Sequence, residues 1–206
     1  MERQLDQFNS MHFDTLREIG NIGASHAVTA LGKMLDKKIQ MSVPSVKLVE
    51  FADIADFVGG GDTLLIGILI NISGDINGMV MFIVKQDVAR KLVSLLMGQT
   101  EPAVDGGFTE IELSALQEIG NILGSSYLAS LSGLIDKKVT PSVPSLAVDM
   151  ANAILSVPAI EFGKIADRAL LIESVFSGGD DNISGYFLLV PDMPSFNIIL
   201  SSLGVA

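Results

Sequence analysis

Glu18 and Asn21 stand three residues apart, and Glu118 and Asn121 repeat the pair one hundred positions further on. Neither type is a nucleophile of the serine or cysteine kind with a base beside it, and neither His12 nor His26 recurs in the second stretch. An amide, however, both donates and accepts hydrogen bonds. It can hold a water molecule and aim it at an electrophile, which is what glutamine does when GTPases hydrolyse phosphate. Such a residue supplies geometry alone, so a metal and an electrophile must come from a partner.

The pair belongs to a longer echo. Glu18-Ile19-Gly20-Asn21 recurs as Glu118-Ile119-Gly120-Asn121, and Leu31, Asp36, Lys37, Lys38, Ser42, Val43, Pro44 and Ser45 recur at 131, 136, 137, 138, 142, 143, 144 and 145 without insertion. Two copies of one unit lie in the chain, and a polar residue kept in both has had two opportunities to drift.

A helix must carry each pair. The first is expected over about Asp14 to Lys33 and the second over about Glu110 to Gly133, where Thr109 and Glu112 form a capping box. At about 100° per residue, Asp14, Glu18, Asn21 and Ser25 fall within an arc of about 60°. Leu16, Ile19, Gly23, Ala27, Ala30 and Met34 fall opposite, on the expected buried side. Ser114, Glu118, Asn121 and Ser125 likewise oppose Leu116, Ile119, Leu123, Tyr127, Ser130 and Leu134. The Glu/Asn pairs are thus expected to point into solvent. A wet amphipathic face accounts for Glu and Asn on one helix. Asn is a poor helix former because its side chain competes for the backbone, and its double appearance after Glu and Gly argues for a role.

After each helix come β segments: Val46 to Val49, Leu64 to Ile72 and Gly78 to Val84 in the first copy, Ala169 to Phe176 and Tyr186 to Val190 in the second. Asp75-Ile76-Asn77-Gly78 and Asn182-Ile183-Ser184-Gly185 are the expected hairpin turns. Helices Asp87 to Met97 and Ser195 to Leu203 close the copies, with Gly98 and Gly204 as caps. Half a unit cannot readily cover its own sheet. The expected fold is therefore α+β: an internally duplicated single domain over residues 1–206 with pseudo-two-fold symmetry, one continuous core, and an antiparallel-rich sheet flanked by helices. Repeat 1 covers about 9–98, an acidic Gly-rich linker about 99–107, and repeat 2 about 108–206.

Of the 206 residues, 49% are hydrophobic and 18% charged, so an extensive interior is expected rather than disorder. A net charge of −11 without a long basic run disfavours nucleic acid and anionic membrane surfaces. The absence of cysteine excludes disulfides, thiolate metal sites and cysteine nucleophiles. No signal-peptide core opens the sequence, and the longest uncharged apolar stretch, Thr63 to Gly74, is too short to span a membrane. A soluble cytoplasmic monomer is expected. Gly59-Gly60-Gly61-Asp62 lacks the Lys-Ser/Thr of a phosphate-binding loop and is expected to be a mobile loop. Gly178-Gly179-Asp180-Asp181-Asn182 lacks calcium-loop spacing and is expected to be a turn.

The full pattern, Asp14-x3-Glu18-x2-Asn21-x22-Pro44 and Ser114-x3-Glu118-x2-Asn121-x22-Pro144, resembles the duplicated signature of the CheC/CheX/FliY phosphatases of bacterial and archaeal chemotaxis. Two motifs in one chain is the CheC-like arrangement; CheX-like proteins rely on one, and FliY adds a flagellar-switch domain. The resemblance implies a phosphatase acting on phosphorylated CheY, which carries both the aspartyl phosphate and Mg²⁺, so this chain is expected to need no cofactor of its own. It implies that Asn21 and Asn121 orient the attacking water, and that Glu18 and Glu118 pair with the lysine by which CheY holds its phosphate. Pro44 and Pro144 are expected to shape the β segment beside the helix. The resemblance further implies the receptor deamidase CheD as a partner. The second copy departs from the first along Val148 to Leu155, a stretch capable of a short amphipathic helix. Val148, Asp149, Ala151, Asn152 and Leu155 are accordingly the expected CheD surface. The alternative is an adaptor whose main work is to bind and regulate CheD.

Overall fold

Strands Leu64–Gly74 and Gly78–Lys85 bury side chains on both faces for most of their length, which requires cover on both sides of the sheet they form. A computed structural model describes residues 10–35, 40–41, 45–98, 106–162, 168–178 and 181–204. In order the elements are α1 (Ser10–Leu35), β1 (Gln40–Met41), β2 (Ser45–Glu50), a 3-10 turn (Phe51–Asp53), α2 (Ile54–Phe57), β3 (Leu64–Gly74), β4 (Gly78–Lys85) and α3 (Gln86–Leu96). The second copy follows with α4 (Glu110–Ile135), β5 (Val139–Pro141), β6 (Ser145–Met150), α5 (Ala151–Phe162), β7 (Arg168–Gly178), β8 (Asp181–Pro191) and α6 (Met193–Ser202).

The sheet is antiparallel throughout, and the copies are exchanged within it. β4 pairs with β8 at the centre. Beside β4 lies β3, which carries β5 and β6 from the second copy; beside β8 lies β7, which carries β1 and β2 from the first. Exchanging β1 to β4 for β5 to β8 reverses the strand order onto itself, which is the expected pseudo-two-fold. Among the described residues, the outer strands of each copy pair with the other copy's hairpin, an exchange that the repeat by itself did not foretell.

The interior differs from the single continuous core expected. It forms two apolar clusters, one on each sheet face, because alternate residues of a strand point to opposite sides. Ile66, Ile68, Ile70, Val80, Phe82, Ile172 and Phe187 pack under α1, α3, α4 and α6. Leu65, Met79, Met81, Ile83, Leu171, Leu188 and Val190 pack under α2 and α5. Each such side chain stabilises by roughly 1.5–3 kcal/mol.

The first hairpin turns between β3 and β4 as expected. The second does not turn at Asn182–Gly185, which lie inside β8, where the ladder with β7 runs on to Gly178 and Asp181; residues 179 and 180 of the turn expected over Gly178 to Asn182 lie outside the described residues. Gly59–Asp62 is a hydrogen-bonded turn rather than a mobile loop: the Gly60 N–H donates to the Ala55 carbonyl, and the Gly61 carbonyl accepts from the Asn152 N–H. Gly98 and Gly204 end α3 and α6 with positive φ. Arg90 of α3 donates to the Gly106 carbonyl and lies over the Phe108 ring, which ties the entry of the second copy to the first. Among the described residues no helix is long and apolar enough to cross a membrane.

Candidate active site

Three close approaches set α1 and α4 in place. A Cβ on Gly120 would meet the Ile68 side chain at 2.5 Å, and one on Gly124 would meet Ile70 Cδ1 at 2.4 Å. The glycine before Asn121 therefore lets α4 rest directly on β3. A Cβ on Gly23 of α1 would meet the Tyr127 ring of α4 at 2.4 Å, and that ring stacks on Phe187 with centroids 5.4 Å apart. Alongside, His26 Nδ1 and Ser130 Oγ are hydrogen-bonded at 2.9 Å, which gives His26 a structural place between the helices. At its start α4 carries the expected capping box, with Thr109 and Glu112 bonded to each other's backbone N–H.

These contacts orient the two motifs. Glu18 and Glu118 are exposed, as expected. Asn21 and Asn121 are half-buried rather than fully wet. One turn of helix separates each Glu from its Asn, so they share one stretch of surface. Asp14 and Ser114 turn to local partners instead: Arg17 Nη2 donates to Asp14 Oδ1 at 2.9 Å, and Ser114 Oγ donates to the Glu110 carbonyl at 2.8 Å. Ser125 Oγ donates to Asn121 Oδ1 at 3.4 Å.

The expected buried faces hold for Gly23, Ala27, Leu116, Ile119, Leu123 and Tyr127; Ala30, Met34 and Ser130 are half-buried, and the side chains of Leu16 and Ile19 lie outside the described residues. Leu134 is exposed instead. The buried stripe advances by fours through Leu116, Gly120, Gly124 and Leu128, turning slowly round the helix toward Leu131 and Ile135 and leaving Leu134 at its margin.

Pro144 is buried, and its carbonyl accepts from Gln117 Nε2 at 2.9 Å. Gln117 is a partner of this segment that sequence reading missed. Pro44 lies outside the described residues.

The expected CheD surface is divided. Val148, Asp149 and Asn152 are exposed, whereas Ala151 and Leu155 are buried in the cluster beneath α5. The helix does not begin at Val148: residues through Met150 complete β6 against β3, and only from Ala151 does α5 turn inward. Among the described residues no group of three or more His, Cys, Asp or Glu is arranged to hold a metal ion.

Comparison with known proteins places both motifs in a family. The model of the CheC-like family matches residues 11–48 and 111–148, which carry both motifs. "CheY-P phosphatase CheC" of Bacillus subtilis (strain 168) is 34% identical over 196 residues, covering 94% of each chain. The flagellar motor switch phosphatase FliY of the same organism is 30% identical over 141 residues, or 68% of this chain and 36% of that one. The crystal structure of Thermotoga maritima FliY superposes with a TM-score of 0.76 at 19% identity over 97% of both chains, a likeness of fold. With the duplicated motif, the exchanged sheet and a relative similar along nearly its whole length, this chain belongs to the CheC-like family.

Proposed function

We propose that this protein is a cytoplasmic phosphatase that hydrolyses the aspartyl phosphate of phosphorylated CheY. The observation that carries the proposal is the half-buried amide with an exposed glutamate one turn before it, on each of two helices. Sheltering restricts the amide while leaving it within reach of a docked partner. Asn21 or Asn121 holds a water molecule in line with the phosphorus. The water oxygen forms the new bond, the bond to the aspartyl oxygen breaks, and inorganic phosphate and free aspartate result. Replacing a random water by a positioned one removes much of the entropic barrier. Glu18 and Glu118 attract the lysine of CheY that holds the phosphate. Mg²⁺ resides in CheY, so the chain needs no cofactor of its own. The B. subtilis relative named as a CheY-P phosphatase supports this reading. The test is decay of CheY-phosphate with and without the protein: acceleration by catalytic amounts is expected, and an unchanged decay rate refutes the activity.

The second reading is that the protein also binds CheD, or acts chiefly as its adaptor. The supporting observation is an asymmetry between copies. Between its outer strand and its hairpin the first copy has the 3-10 turn Phe51–Asp53 and the four-residue α2, whereas the second has the twelve-residue α5. Val157 and Ile160 of α5 are exposed, the latter at 69%. Asp149, opposite Leu65 in the ladder, shares the sheet face that α5 covers, and with Asn152 of α5 it adds polar groups to an unduplicated surface fit for a protein partner; Val148, opposite Ile66, belongs to the other face.

A further inference from the structure

A serine or threonine inside a helix ordinarily turns its hydroxyl back to the carbonyl four residues earlier. Thr29, Ser114 and Ser130 do so, donating to the carbonyls of Ser25, Glu110 and Ser126 at 2.8 to 2.9 Å. Ser125 does not. Its hydroxyl donates to a side chain, Asn121 Oδ1, at 3.4 Å. The spacing is duplicated, Asn21-x3-Ser25 and Asn121-x3-Ser125, although the family pattern described above ends at the proline and assigns no role to the serine.

We infer that Ser125 is a positioning residue that holds the amide of Asn121 in the orientation needed to carry water. The inference rests on the reading of Asn121 as the water-holding group. Rotation about the last bond of an asparagine is broad and nearly two-fold, so an unrestrained amide samples many planes. A donor at Oδ1 from the C-terminal side restrains that plane. Both Nδ2 hydrogens and the second Oδ1 lone pair remain for water.

The test uses the full chain carrying Asn21→Ala, so that only the second site reports, and follows decay of CheY-phosphate over a range of its concentrations. Ser125→Ala is expected to lower kcat about 3- to 10-fold, the worth of one neutral hydrogen bond, with KM unchanged. Ser125→Thr, which keeps the hydroxyl, is expected to restore most of the rate. An unchanged kcat in Ser125→Ala overturns the inference. So does a loss that Thr does not rescue and that comes with a lower melting temperature, which marks a structural role. The double variant Asn21→Ala/Asn121→Ala separates the two levels. If it is inactive while Ser125→Ala keeps full rate, the positioning role alone fails; if it keeps the rate of Asn21→Ala, the reading of Asn121 fails and takes the inference with it.

Discussion

Gln117 Nε2 donates to the carbonyl oxygen of Pro144 at 2.9 Å, fastening the residue before Glu118 to the turn that leads into β6. This bond ties α4 to the segment that enters β6. The first copy has Arg17 at the equivalent position, and Arg17 pairs with Asp14. Gln117→Leu leaves the Pro144 carbonyl without its donor in a buried place, at a cost of about 1–3 kcal/mol. Urea denaturation is expected to show that loss, and an Asn21→Ala background is expected to show reduced phosphatase rate at the second site.

The close seat of α4 on β3 makes Gly120 intolerant of a side chain. Gly120→Ala places a Cβ 2.5 Å from Ile68 Cδ1, and overpacking of this kind costs about 1–3 kcal/mol. Gly133 of the same helix has nothing within 4 Å of a built Cβ, so Gly133→Ala is expected to stabilise by about 0.5–1 kcal/mol through helix propensity alone. Thermal melts of the two variants should move in opposite directions.

The Glu112 carboxyl is held below its ordinary value of 4.5, first by the Thr109 backbone N–H and then by the Thr109 hydroxyl, with the Arg90 charge adding a smaller pull. A carboxyl depressed in the folded state adds stability above its unfolded value, and that stability is lost as pH falls through the folded one. Thr109→Ala is expected to cost about 1 kcal/mol at neutral pH. The difference from wild type should shrink below about pH 4.5, as measured by denaturation across a pH series.

Asp149 is exposed, and its Oδ1 accepts only from the neighbouring Met150 N–H among the contacts described. Asp149→Lys is therefore expected to leave the fold and the phosphatase rate near normal while weakening CheD binding in a pull-down. Intact CheD binding would remove this position from the proposed surface.

The sequence made legible whatever a local period or a repeat encodes. Helices around Glu18 and Glu118, the Thr109 cap, the first hairpin and the two-fold relation all follow from apolar spacing or self-similarity. What escaped depends on tertiary neighbours. Gly120 reads as an odd residue before Asn121 until Ile68 is seen beneath it. Gln117 reads as one more wet side chain until Pro144 comes within reach. The half-burial of both asparagines depends on neighbours that no single helical wheel contains. Asn182–Gly185 reads as a turn from its own residues, yet it lies in β8 because β7 offers it a ladder partner.

The central claim, that the paired asparagines carry the hydrolysis, is tested most directly by the decay of CheY-phosphate in the presence of the Asn21→Ala/Asn121→Ala variant. Losing the water-holding amide from both sites is expected to slow stimulated hydrolysis by about one to three decades, or ~1.4–4 kcal/mol of barrier, with the circular dichroism of the protein unchanged. Each single variant should keep a measurable share, because the two residues stand on separate helices. A double variant that hydrolyses CheY-phosphate at the wild-type rate would contradict the account.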